Sequence, residues 1–188
     1  MSDSSKLFIM GHKMPDMDAT GAAVGVCAIA RKKGVPAYII REGGTNPSKP
    51  ILDKLDQLPE YRGNFLSAQE ALVAADSRSL VVVVDTNRPE QVVSQDLLEA
   101  VHKVAVIDHH RRASSYIADA ASISTSPMPP PPASWSPSSS AISWTADLLK
   151  GEAEALMAGL MLDTKNFTMR TGARTFEAAA FLRQAGGD

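Results

Sequence analysis

Apolar residues in this chain fall in short runs, each followed by a stretch richer in alanine and charge. LFIM (7–10), VPAYIIR (35–41), SLVVVVD (79–85) and KVAVID (103–108) are nearly continuous, without the alternation of a strand that has one wet face. Such runs predict strands buried on both sides. DATGAAVGVCAIARKK (18–33) predicts a helix closed by lysines and stopped by Gly34, with Asp18 near its N-terminus. Further helices are expected at 50–58, opened by Pro50, and at 67–75, 89–99, 151–162 and 173–185. Apolar strands alternating with helices predict an α/β fold: a doubly wound, mostly parallel sheet flanked by helices.

One segment breaks the pattern. TSPMPPPPASWSP (125–137) carries four consecutive prolines, which forbid a helix interior. An irregular Pro/Ser-rich loop is expected over about 121–140. Its composition suits an extended linker, and PPPP suits a groove that binds polyproline helices. A linker does not fit a position inside one domain, and a polyproline ligand does not fit a bacterial-looking catalytic core.

Composition narrows the partners. The 188 residues, 44% hydrophobic and 21% charged, can bury a sizeable core. A net charge of −2 gives no global basic field, so duplex nucleic acid is not an expected partner and any anion must be held locally. A single cysteine, Cys27, excludes an internal disulfide framework and fits a reducing cytoplasm. The N-terminal apolar run of four residues is too short for a signal peptide or a span, so the expectation is a cytoplasmic chain without membrane contact of its own.

The chemistry collects where strands end. GHKMPDMD supplies His12, Asp16 and Asp18; VVVVDTNRP supplies Asp85; VIDHHRR supplies Asp108, His109 and His110. Singly these have bland readings: Asp18 as a helix cap, His12 as a half-buried histidine, Arg111 and Arg112 as a solvated turn. Together they would converge, because open α/β sheets bind ligands at the carboxyl ends of their strands. Clustered carboxylates repel one another unless a cation joins them. Oxygen and imidazole donors without thiolates favour Mn²⁺, with Mg²⁺ as the alternative. Several ligands of bridging capacity suggest two ions, spaced for phosphoryl displacement.

GHKMPDMDATGAA, VVVVDTNRP and VIDHHRR, in this order and spacing, resemble the DHH phosphoesterase family, and within it the GdpP-like cyclic-di-AMP phosphodiesterases. LMAGLMLDTKNFTMRTGARTFEAAAFLR also resembles that branch. The resemblance implies that His12, Asp16, Asp18, Asp85, His109 and Asp163 hold two Mn²⁺ ions. It implies that Asp108 orients a histidine, that His110 faces the scissile phosphate, and that Arg111 and Arg112 contact phosphate oxygens. The implied reaction is hydrolysis of a cyclic dinucleotide to the linear dinucleotide by a metal-activated water. Short oligoribonucleotides, or 3′-phosphoadenosine 5′-phosphate (pAp), are the alternative substrates. A manganese-dependent pyrophosphatase ranks third. A non-catalytic remnant is the alternative of a different class.

The resemblance implies one DHH catalytic domain over 1–188, with the family's DHH-associated substrate domain absent after RQAGGD. It also implies membrane anchoring in full-length relatives, and it leaves a homodimer open. The family pattern near 125–137 is similar to EPYASSTSELVSELL, a turn followed by an amphipathic helix. Codons for TSPMPPPPASWSP exist that, shifted by one base, read EPYASSTSELVSE. Compensating frameshifts bracketing about 122–144 are therefore expected to have displaced that turn and helix, and sequencing the coding DNA tests this.

Overall fold

The computed structural model describes residues 4–44, 47–111, 114–118, 120–123 and 148–187. Arg112 and the stretch 125–137 lie outside the described residues. The strands are β1 (Leu7–Met10), β2 (Ala37–Ile40), β3 (Phe65–Leu66), β4 (Leu80–Val84), β5 (Lys103–Ile107) and β6 (Ala121–Ile123). Among the described residues the helices are α1 (Met17–Lys32), α2 (Lys49–Asp56), α3 (Ala68–Ala74), α4 (Gln95–Ala100), α5 (Lys150–Asp163) and α6 (Ala173–Gln184).

The strands form one six-stranded sheet in the order β3-β2-β1-β4-β5-β6. Every pairing is parallel. The chain winds outward one way through β2 and β3 and the other way through β5 and β6. The winding therefore reverses between β1 and β4, the crevice where such sheets bind ligands.

The continuous apolar runs are explained by two cores. Leu7, Ile9, Val82 and Val84 point to one face and pack with Val24, Cys27, Leu55 and Ala155 from α1, α2 and α5. Phe8, Met10, Val81 and Val83 point to the other and pack with Ala71 and Leu97 from α3 and α4. With period-two geometry and helices on both faces, the central strands β1 and β4 hold apolar residues only.

Three expectations are corrected. Residues 89–99 do not form one helix. Pro89–Gln91 is a 3₁₀ turn, and α4 starts only at Gln95. Between them Val92, fully buried, pairs antiparallel with His12. Lys13 N donates to Gln91 O (2.8 Å) and Val93 N donates to Gly11 O (3.1 Å). The backbone there is spent on holding the loop after β1. Residues 121–123, expected to be irregular, are strand β6 on the sheet edge beside β5. Helix α1 begins at Met17 rather than at Asp18, because Asp16 is its N-cap.

Glycine sets how closely α5 approaches α1. A Cβ on Gly159 would meet Met17 O at 2.9 Å, and one on Gly21 would meet Ala155 O at 2.9 Å. The same helix pair is locked by Glu152, which is fully buried. Its carboxylate accepts from Arg31 Nη2 (2.8 Å), Arg31 Nε (3.1 Å), Tyr61 Oη (2.8 Å) and Leu149 N (2.8 Å). Four donors satisfy a charge that would otherwise be too costly to bury.

Candidate metal centre

Each candidate ligand stands at the end of an element of this frame. His12 and Asp85 follow β1 and β4, and Asp108, His109 and His110 follow β5. Asp16 caps α1, its Oδ1 accepting from Asp18 N (3.1 Å) and Ala19 N (3.0 Å). That leaves Asp18 in the first turn of α1. Asp163 is the last residue of α5, brought beside α1 by the glycine contact.

The structure brings these residues together across the reversal point. His12 Nε2 lies 3.4 Å from Asp85 Oδ2 and 3.9 Å from Asp16 Oδ1. His109 Nε2 lies 3.3 Å from both Asp85 Oδ1 and Asp18 Oδ2, and its Nδ1 is 3.7 Å from Asp163 Oδ1. Among the described residues three groups of donor atoms, each within 4.8 Å, result: His12–Asp16–Asp85, Asp18–His109–Asp163 and Asp85–His109–His110. Asp85 and His109 each belong to two of them.

The electrostatics fit a divalent cation. Asp85 Oδ1 is buried and accepts no hydrogen bond among the described residues. Such an oxygen loses hydration without a hydrogen bond in return. Burial, reinforced by Asp85, Asp163 and Asp16, pushes the Asp18 carboxyl up to about 7. A hydrogen bond with Asp85 raises His12 above its ordinary range. Burial of Asp18 comes first, and neighbouring carboxylates add to both shifts, a negative charge that a bound cation would neutralise. The carboxylate and imidazole donors suit Mn²⁺ or Mg²⁺.

Asp108 belongs to none of these groups among the described residues. Its Oδ1 accepts from His110 N (3.1 Å) and bonds His110 Nδ1 (2.8 Å), and its Oδ2 accepts from Asn87 Nδ2. The His110 side chain held by this bond is 58% exposed and lines the cavity.

The cavity over the cluster holds about 940 Å³. Lys13, Arg88, Arg111, Lys165 and Arg170 line it. Of these, only Arg111 was expected from the sequence. Arg170 reaches Asp163 Oδ1 at 3.1 Å. It follows a turn in which Lys165, Asn166 and Phe167 all have positive φ (46°, 55° and 63°), as does Arg170 itself (53°). No sequence pattern signals a left-handed run of non-glycine residues, so Lys165 and Arg170 were not legible as cavity residues. Asn87 had a faint signal, two residues after a strand-end aspartate.

Comparison with known proteins agrees with the geometry. The model of the "DHH family, N-terminal domain" matches residues 6–164. The chain belongs to the DHH family. This DHH chain is 37% identical over 204 residues to "Cyclic-di-AMP phosphodiesterase PdeA" of Listeria monocytogenes serotype 1/2a (strain 10403S), a match covering all of this chain and 29% of that protein. It is 33% identical over 115 residues to the "Probable manganese-dependent inorganic pyrophosphatase" of Enterococcus faecalis (strain ATCC 700802 / V583), covering 61% of this chain and 34% of that protein. Among solved structures, an exopolyphosphatase-related protein from Bacteroides fragilis superposes with a TM-score of 0.69 at 20% identity, over all of this chain and 54% of that one. That likeness concerns the DHH fold alone. The chain thus spans less than a third of the length of the cyclic-di-AMP relative.

Proposed function

We propose that the chain is the catalytic core of a divalent-metal-dependent phosphodiesterase that hydrolyses cyclic-di-AMP to the linear dinucleotide. The observation that carries this is Asp85: a buried carboxylate with an unsatisfied oxygen, placed between two histidine–carboxylate groups. His12, Asp16 and Asp85 would hold one cation, and Asp18, His109 and Asp163 a second, with Asp85 between them. Mn²⁺ is the proposed ion. Bound there, the ions would supply an acidified water as nucleophile and neutralise charge on the phosphoryl oxygens.

The chain's own residues supply the rest. Asp108 fixes His110 through Nδ1, which leaves Nε2 for a phosphate oxygen or the leaving group. Arg111, Arg88 and Lys13 give the cavity positive charge against a phosphodiester. No side chain is needed as a nucleophile. Among possible substrates the cyclic dinucleotide is favoured, because the cyclic-di-AMP relative matches all of this chain and the pyrophosphatase only 61% of it.

Turnover of cyclic-di-AMP, linear pApA, pAp and pyrophosphate, each with Mn²⁺, tests the assignment. The expected result is fastest release of pApA from cyclic-di-AMP. Faster hydrolysis of pAp or pyrophosphate would reassign the substrate. Metal binding without turnover of any of them would indicate a non-catalytic domain.

A further inference from the structure

Arg170 is placed unlike the other cations of the cavity. Its guanidinium lies on Asp163 Oδ1 at 3.1 Å, whereas no ion pair joins Lys13, Arg88, Arg111 or Lys165 to the cluster among the described residues. The two partners differ in exposure: the Asp163 side chain is 5% exposed, that of Arg170 66%. Only the Nη1 end bonds the carboxylate, while the residue lines the open cavity.

The turn that carries Arg170 is firmly built. Thr168 N and Met169 N both donate to Thr164 O (3.0 and 2.9 Å), and Asn166 N donates to Met161 O (2.8 Å). Thr164 Oγ1 donates to Leu160 O (2.7 Å) and accepts from Phe167 N (3.1 Å). Phe167 stacks on Phe176 of α6, with ring centroids 5.7 Å apart. Four left-handed non-glycine residues persist here only because these contacts hold them. The backbone is fixed, while the long side chain is 66% exposed and borders the open cavity.

The Asp163 oxygen that Arg170 holds is also the one 3.7 Å from His109 Nδ1. A cation ligated by Asp163 and His109 would carry positive charge into the place where the guanidinium sits. Cation and guanidinium therefore compete for one carboxylate. We propose that Arg170 is an exchangeable partner: it holds Asp163 until a divalent cation takes that carboxylate, and its guanidinium then turns into the cavity onto a substrate phosphate oxygen. Substrate affinity thereby depends on the metal being loaded first. The substrate half of this proposal rests on the phosphodiesterase assignment; the competition for Asp163 does not.

Calorimetric titrations of the parent, Arg170→Gln and Arg170→Lys test both halves, with thermal unfolding as a check that the variants fold. Mn²⁺ alone should bind Arg170→Gln about two- to fivefold more tightly than the parent, the scale of an exposed ion pair removed from competition. To the Mn²⁺-loaded proteins, 5′-AMP should bind about tenfold or more weakly in Arg170→Gln, the scale of a lost charge-assisted hydrogen bond, with Arg170→Lys in between. Weaker Mn²⁺ binding in Arg170→Gln would overturn the proposal, because Arg170 would then be orienting Asp163 for the metal. Equal 5′-AMP affinity in parent and variant would overturn it too. If both titrations behave as expected but the parent turns over no phosphodiester, the exchange stands and the phosphodiesterase assignment falls.

Discussion

At φ 57° the backbone of Asp85 lies in the left-handed region, which costs a non-glycine residue free energy. The amide still donates to Ile107 O at 2.9 Å, so the sheet ladder continues while the side chain turns toward the crevice. There it leaves Oδ1 without a donor among the described residues. Strain and an unsatisfied oxygen on one residue are compensated together if a cation binds. Asp85→Asn should therefore lower Mn²⁺ affinity by more than the roughly 10- to 100-fold typical of losing a partner behind a ligand. Unchanged affinity on calorimetric titration would show that Asp85 is not shared. The metal-free protein should also show a pH signature. Folding raises Asp18 from 3.8 to about 7 and raises His12 above 6.5. A raised value stabilises the fold at low pH, and that contribution disappears as pH rises through the folded value. Urea midpoints in EDTA, compared between parent and Asp18→Asn, should favour the variant progressively from pH 4 to pH 8. Added Mn²⁺ should restore the parent at pH 8. A parent that gains on the variant as pH rises would refute the shift.

At the scale of elements, the α1–α5 contact sets the distance between Asp18 and Asp163. Gly159→Ala would drive a methyl group to 2.9 Å from Met17 O, a backbone atom that cannot step aside. The expected cost is about 1–3 kcal/mol in chemical denaturation, together with weakened Mn²⁺ binding. Gly172→Ser, where a Cβ meets nothing within 4 Å, should leave both unchanged. Glu152→Ala removes the acceptor of Arg31, Tyr61 and Leu149 N, which should cost about 3–5 kcal/mol. A loss below about 1 kcal/mol would mean the contact is not needed to hold the pair. The elements also show what the chain discloses on its own. Valine-rich β4 and the run of β1 were legible because burial on both faces leaves a continuous apolar signature. Strand β3 has two residues and makes no pattern. The break between Gln91 and Gln95 arises because Val92 pairs with His12, a contact 80 positions away that no local propensity encodes.

Over the whole molecule, most of the candidate centre was legible for a topological reason. Ligands at neighbouring strand ends come together once the sheet is parallel, so His12, Asp85 and His109 converge. The positive side of the cavity was not legible. Arg88 follows β4, and Lys165 and Arg170 are delivered by a left-handed turn, so no common spacing links them. The roles of Asp16 and Asp18 were separated only by the cap geometry, which places one on the helix amides and frees the other. An anomalous difference map at the manganese edge, from crystals grown with Mn²⁺, tests the shared-carboxylate site most directly. Two peaks flanking Asp85, one beside His12 and Asp16 and one beside His109 and Asp163, are the predicted result. A single peak, or peaks remote from Asp85, would contradict it.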